Sequence, residues 1–328
     1  MPRAPMSRGV AVLLLAAVLL TVAWVSGRPW TAAHRALEAA PRLAVAGGSP
    51  MVTAAPAGVA AAPAGAAATA PAGVAAAPAG VAATAPLPAR PSAAQQAGCL
   101  NRLFGGGGDS YSVAALDLST GRSVRLGAGG GMVAASLVKL DFLQALLHQH
   151  QLSGRPLSPS QHHDARAMMR RSDNAAADRI WAAVGGNTGL RRYNSLLGLR
   201  DTVFDADGRW GLSTTSADDQ MLLLQALTST SSPLEAASRR YALELMGQVQ
   251  SDQRWGVSAA GDPGSDPAIK NGWLGVDADG GRWVANSAGV LQVGGRQVLM
   301  VVLSQHQPGY STAVARVRQA ALDVAAGL

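Results

Sequence analysis

The residues best suited to covalent chemistry are Ser136 and Lys139, in the stretch Ser136-Leu137-Val138-Lys139. A spacing of three puts both side chains on one helix face, one turn apart, so the amine is expected to reach the hydroxyl. A serine hydroxyl becomes a useful nucleophile when a neighbouring base takes its proton. Lysine can be that base only where burial or nearby charge lowers its pKa. The four-residue pattern is common by chance, but composition sharpens it. Of 27 Lys plus Arg residues, two are lysine, Lys139 and Lys270. Arginine cannot act as a base, so a chain that writes almost every cation as arginine keeps lysine where guanidinium will not serve. Two further clusters carry polar chemistry. Ser172-Asp173-Asn174 taken alone is a good helix N-cap, and Lys270-Asn271-Gly272 taken alone reads as a turn.

The elements that must position these clusters follow from hydrophobic period. A glycine-rich run, Gly127 to Gly131, precedes the Ser136 helix, which continues to about Gln151 with apolar residues at Leu137, Leu140, Leu143, Leu146 and Leu147. Tyr111–Leu118 and Ser123–Leu126 read as a hairpin around Ser119-Thr120-Gly121-Arg122. Helices are expected over 159–170, 175–184, 188–197, 215–227 and 233–249, with 201–212 and 251–266 as loops. The period then changes to strands at 268–275, 282–293 and 296–304, and a final amphipathic helix runs over 312–326. Two strands, a helical block, three strands and a helix imply an α/β fold. A five-stranded antiparallel sheet is flanked by helices and joined to an all-helical subdomain, with the cleft between the two parts.

Outside this region the chain is different in kind. Residues 1–98 are rich in alanine, proline and glycine, and hold six arginines and one acid, Glu38. The remaining 21 basic and 19 acidic side chains make residues 99–328 nearly neutral. That part shows no basic stripe, so nucleic acid is excluded as a partner. Arg3 and Arg8 precede an apolar run from Val10 to Val25, the pattern of a signal peptide or a membrane anchor within residues 1–30. Residues 31–98 repeat Pro-Ala-Gly at Pro56, Pro63, Pro71 and Pro78 and read as a disordered linker, with the folded domain at 99–328. The single cysteine, Cys99, lies too far from the apolar run to be a lipid-attachment site.

With the three clusters in this order and on these elements, residues 108–328 resemble the penicillin-recognising serine hydrolases, most closely the class A β-lactamase-like group. That family's motifs are SxxK, SDN and KTG, here Ser136-x-x-Lys139, Ser172-Asp173-Asn174 and Lys270-Asn271-Gly272. Gly211-Leu212-Ser213-Thr214-Thr215 with Asp218, and Asn271-Gly272-Trp273-Leu274, are similar to exported actinobacterial members. The resemblance implies that Ser136 attacks a β-lactam or related amide to give an acyl-enzyme. It implies that Lys139 takes the proton and that Ser172 relays one to the leaving nitrogen. Asn174 would bind the substrate amide, and Lys270 the substrate carboxylate. Gly272 would let substrate lie against the strand, and the backbone N–H groups of Ser136 and Trp273 would form an oxyanion hole.

Two departures qualify it. Asn271 stands where threonine or serine is usual, and is expected still to donate to a carboxylate. None of the three glutamates, Glu38, Glu235 and Glu244, lies between Asn174 and Ser213, where the family's water-activating glutamate belongs. Asp205 or Asp207 could stand in, and acylation with slow deacylation is expected. A D-Ala-D-Ala-type peptidase acting on peptidoglycan stem peptides and a non-hydrolytic sensor of such ligands are the rival readings. No cofactor or metal is called for: His148, His150, His162 and His163 have no ligand spacing, and no GxSxG elbow occurs. Gly105–Gly108 reads as a hinge, Trp210 and Trp255 as core and Trp273 as cleft lining. A monomer is expected, touching the membrane through residues 10–25 if that run is retained.

Overall fold

A strand buried on both faces reads as an unbroken apolar run, and Val298-Leu299-Met300-Val301-Val302-Leu303 is such a run. In the computed structural model, which describes residues 91–105 and 110–328, it forms the middle of a five-stranded antiparallel sheet. The apolar segment 10–25, residues 31–90 of the linker and most of the Gly105–Gly108 hinge lie outside the described residues. In chain order the strands are β1 (Tyr111–Asp117), β2 (Ser123–Gly127), β3 (Met132–Val133), β4 (Thr214–Thr215), β5 (Ala268–Val276), β6 (Arg282–Val293) and β7 (Arg296–Gln307). The large sheet is ordered β2-β1-β7-β6-β5. The helices are α1 (Ala93–Phe104), α2 (Lys139–Ser153), α3 (Pro159–Arg171), α4 (Asn174–Ala183), α5 (Gly186–Leu197), α6 (Ala217–Thr228), α7 (Ala236–Gly247) and α8 (Tyr310–Gly327).

Strand alternation divides the core in two. Val298, Met300 and Val302 pack with Val317 and Val324 of α8 and with Leu100 and Phe104 of α1. Leu299, Val301 and Leu303 face the other way, onto Phe142, Leu143 and Leu146 of α2 and Leu223 and Leu224 of α6. The expected α/β architecture with a helical insert is therefore the one observed, and most boundaries fall within two residues of the sequence reading. Helix α1 departs from that reading. It begins inside the stretch read as linker, capped by Ser92, whose hydroxyl accepts from Gln95 N while Gln95 reaches back to Ser92 N. Its Ala-Ala-Gln-Gln opening looks like linker composition, yet Leu100 is fully buried and Phe104 stacks on Tyr111 at 5.1 Å.

Two-residue strands β3 and β4 pair Met132 with Thr215 and Val133 with Thr214. With the Ala134 N–H donating to Ser213 O at 2.8 Å, they tie the segment before Ser136 to the far end of the 198–213 loop. Leu100→Ala is expected to lower unfolding stability by about 2–5 kcal/mol, the usual range for emptying a filled core position. Thermal unfolding checks it; a change within a few tenths would mean that α1 is not part of the cooperative unit.

Candidate active site

Ser136 lies in a 3-10 turn, Ala135–Val138, that opens into α2. Ala135 has φ 49°, a strained value for a residue with a Cβ. The turn is held from the sheet side. Asn286 of β6 donates to Val133 O at 2.8 Å and Ala134 O at 3.0 Å, and accepts from Ser304 N. Gly272, opposite Asn286 in the β5–β6 register, lies directly against the turn. A methyl group there would be 2.6 Å from Leu137 N and 2.9 Å from Ser136 N. Glycine is thus required at 272 by the close approach of the Ser136 turn, whatever lies along the strand.

Ser172 ends α3 in the left-handed region, φ 56°, and Asp173 then caps α4 through Ala176 N at 2.7 Å. The capping reading of the triplet therefore holds for Asp173, while the residues on either side face the two lysines. Lys139 Nζ lies 2.5 Å from Ser172 O, 2.7 Å from Asn174 Oδ1 and 3.2 Å from Ser172 Oγ. Lys270 Nζ lies 3.1 Å from the same Ser172 Oγ and 2.5 Å from Asn271 O. Both lysines are fully buried. The direct Lys139–Ser136 contact expected from spacing is not made: among the described residues Ser136 Oγ has no hydrogen bond, and the amine turns to Ser172 and Asn174 instead. The Trp210 ring covers Lys139 Nζ at 5.0 Å from its centroid, and its indole donates to Asp178 Oδ1 at 2.8 Å.

The relatives of this arrangement are known. A model described as "Beta-lactamase enzyme family" matches residues 157–328. The curated protein named "Putative lipoprotein LppW" from Mycobacterium tuberculosis is 32% identical over 223 residues, 65% of this chain and 68% of that one. The chain belongs to the β-lactamase enzyme family. Solved structures agree in fold. PBP-A covers 70% of this chain and 94% of its own, with TM-score 0.59 and 19% identity. The TLA-1 extended-spectrum β-lactamase covers 71% and 97%, with TM-score 0.61 and 15% identity. The matched family region starts after Ser136 and Lys139, so those two residues stand on their own geometry.

Within this β-lactamase-family fold, burial is the main cause that holds Lys139 well below the usual lysine pKa, and the neighbouring Lys270 adds to it; Asp173 and Asp178 pull the other way. Burial brings Lys270 down to about 7. Two sequence expectations are corrected. The Asn271 side chain does not point to a substrate carboxylate; it donates to Gln253 O at 2.7 Å and Trp255 O at 3.2 Å. Gln253 in turn donates to Arg171 O, next to Ser172. Asp205 and Asp207 are not poised as bases, because both are bound by Arg209, at 3.1 Å and 2.9 Å. Burial pushes the Asp205 pKa up, but its Arg209 contacts outweigh this and leave it low.

Trp273 is half-buried beside Trp255 and Tyr310, with ring centroids at 5.9 Å and 6.1 Å, while Trp210 is core but touches the site. Sequence reasoning missed Asn286, Gln253 and Asp178. No motif marks them, and only an unexplained polar residue inside an apolar strand flags Asn286. Asn271→Thr is expected to cost about 1–3 kcal/mol, because two backbone carbonyls lose their donor. Equal stability of N271T and the parent in denaturant titration would restore the carboxylate-binding role.

Proposed function

We propose that the protein is a penicillin-recognising serine hydrolase in which Ser136 forms an acyl-enzyme with a β-lactam or a related amide. The observation that carries the proposal is the convergence of Lys139 and Lys270, 131 positions apart in the chain, on the Ser172 hydroxyl at 3.2 Å and 3.1 Å. Two ammonium groups so close repel strongly at low dielectric, so one is expected to be neutral; burial and the neighbouring Lys270 hold Lys139 well below the usual lysine range, and on this reading it is the neutral amine. A neutral amine has two N–H bonds and one lone pair. Its two short contacts, to Ser172 O and Asn174 Oδ1, use the donors. The longer contact leaves the lone pair to a hydroxyl proton.

On this reading Ser136 Oγ bonds to the lactam carbonyl carbon while its proton goes to Lys139, whose amine turns from Ser172 toward Ser136 when substrate binds. The Ser172 hydroxyl then protonates the leaving nitrogen as the C–N bond breaks, and is re-protonated from Lys139. Lys270 donates to Ser172 Oγ throughout. Asn174 Oδ1 is taken by Lys139, so its amide N–H groups remain for the substrate amide. The Gly272 contact presses the Ser136 N–H against β5, which supports an oxyanion hole shared with the Trp273 N–H.

Deacylation is proposed to be slow, since the two candidate carboxylates are engaged by Arg209. A single-residue PBP-A mutant of similar fold, TM-score 0.61, is described as an acyl-enzyme complex with penicillin-G. The Arg209 pairing also favours a second reading, a domain that binds β-lactams or stem peptides without turning them over. Display outside the cytoplasm at a membrane is supported by the name of the mycobacterial relative, and residues 10–25 are the proposed tether on their sequence pattern alone.

A penicillin pulse followed by mass spectrometry is expected to leave a long-lived adduct on Ser136 of the parent and none on Ser136→Ala. Fast turnover without an adduct would remove the slow-deacylation claim. Neither adduct nor turnover would remove the hydrolase reading. The acylation rate is expected to fall as pH rises through about 7, where Lys270 loses the proton it donates to Ser172. Stopped-flow acylation by a fluorescent penicillin checks the sign; a rate still rising well above neutrality would assign Lys270 another role.

A further inference from the structure

A second polar cluster lies within the helical part and plays no part in the proposed reaction. Asp141 follows Lys139 by two residues on α2 and is completely buried. Its Oδ1 accepts from Asn194 Nδ2 of α5 at 2.9 Å. Its Oδ2 has no partner, and neither do Asn194 Oδ1 and Gln220 Oε1, both on buried side chains. Gln220 of α6 sits beside Asp141. All three orphan atoms are acceptors, and buried acceptors without donors are costly. The amide ends of both neighbours are already fixed: Asn194 Nδ2 on Asp141, and Gln220 Nε2 on Thr215 Oγ1 at 3.1 Å. Turning the Asn194 carboxamide would break its bond to Asp141, and turning Gln220 would make the Thr215 hydroxyl donate to Gln220 Oε1 and give up its bond to Thr202. With the present orientations kept, the missing donor is a proton on Asp141.

We infer that Asp141 is held as the neutral acid, its Oδ2–H donating to Gln220 Oε1, and that this proton fastens the helix carrying Lys139 to the loop opposite it. The link continues in one direction. Gln220 Nε2 donates to Thr215 Oγ1, which lies 2.9 Å from Thr202 Oγ1, and Thr202 donates to Asp219 Oδ2 at 2.7 Å. Asp219 also accepts from Arg200 N and Asp201 N, at the opening of the 198–213 loop. The far end of that loop packs on the Ser136 turn through Ser213 O. The ionisable groups facing Asp141 are Asp219 from α6 and Tyr193 from α5, whose ring lies against His148; on its own helix the Lys139 amine turns away to Ser172. Among the described residues no cation answers a charge at Asp141. Burial is the main cause that raises its pKa to about 7, and the nearby Asp219 adds to it, while the hydrogen bond from Asn194 pulls the other way.

The test uses the full chain and Asp141→Asn, whose carboxamide keeps the acceptor for Asn194 and supplies a permanent donor to Gln220. An unfolded aspartate ionises near pH 4, while the folded one keeps its proton to about 7. Between these values the folded parent holds an extra proton, so its stability falls as pH rises. D141N should match the parent near pH 4, gain on it by roughly a few °C in Tm per pH unit, and level off above about 7. Independently of any variant, the 13Cγ resonance of Asp141 in the parent should titrate near neutrality. The proposal is overturned if that resonance shows an ionised carboxylate at pH 5, as it would with a trapped cation. A pH-independent Tm difference between parent and D141N would overturn it too. Should D141N fail to fold, the resonance alone decides. This test does not depend on the acyl-enzyme reading, since neither readout involves Ser136.

Discussion

One hydroxyl held between two buried amines is the constraint around which the molecule is built. Ser172 Oγ lies 3.2 Å from Lys139 and 3.1 Å from Lys270, and both amines are sealed from water. Two full positive charges at that spacing could not be sustained in a dry interior. Burial lowers the pKa of both amines, Lys270 to about 7, so the arrangement favours loss of a proton from one of them. Everything nearby serves that balance: Ser172 O and Asn174 Oδ1 give the amine acceptors without charge, and Trp210 closes it off from solvent.

Holding the two amines in place uses the sheet as a rigid back wall. β5 carries Lys270 on the same face as Gly272, two residues apart, so one strand presents the amine and also admits the Ser136 turn. Asn286 on β6 completes the grip by donating to the two carbonyls before the nucleophile position. Asn271, pointing to the opposite face, pins the 250–256 segment and through Gln253 reaches Arg171. The strained backbone at Ala135 and Ser172, each of order 1–3 kcal/mol, falls at the two points where these grips meet the chain. A left-handed residue at each lets a helix start or stop abruptly, and at Ser172 it leaves the hydroxyl between the two amines.

Much of this was legible in the sequence because the deciding signals are local. Unbroken apolar strands, a period change at residue 268 and three short clusters in order gave the sheet, the helical insert and the convergence of Lys139, Ser172 and Lys270. What was not legible depends on direction rather than identity. Spacing says that Lys139 can face Ser136, but only packing decides that it turns to Ser172 and Asn174. Asn271 is polar and next to Lys270, so it looked like a ligand; strand alternation sends it to the other face. Asp205 and Asp207 looked free because Arg209, two to four residues away, folds back on both only in the loop's actual shape. Helix α1 was hidden by composition, its one clear sign being the Ser92–Gln95 capping box.

The distribution of acids gives the site its chemical character. Around the two lysines, Asp173 is used to start α4 and Asp178 to hold the Trp210 indole, while Asp205 and Asp207 are joined to Arg209. Each carboxylate near the cleft thus shapes the backbone or a ring. The side chains gathered around Ser172 are amines and an amide, which need no counter-ion once one amine is neutral. Activating a water would require a carboxylate with a free oxygen and a fixed position near the acyl group, and this loop spends its acids on its own turns. Acyl transfer and hydrolysis therefore make separate structural demands, and the carboxylates of this loop are held by Arg209 rather than left free for the second.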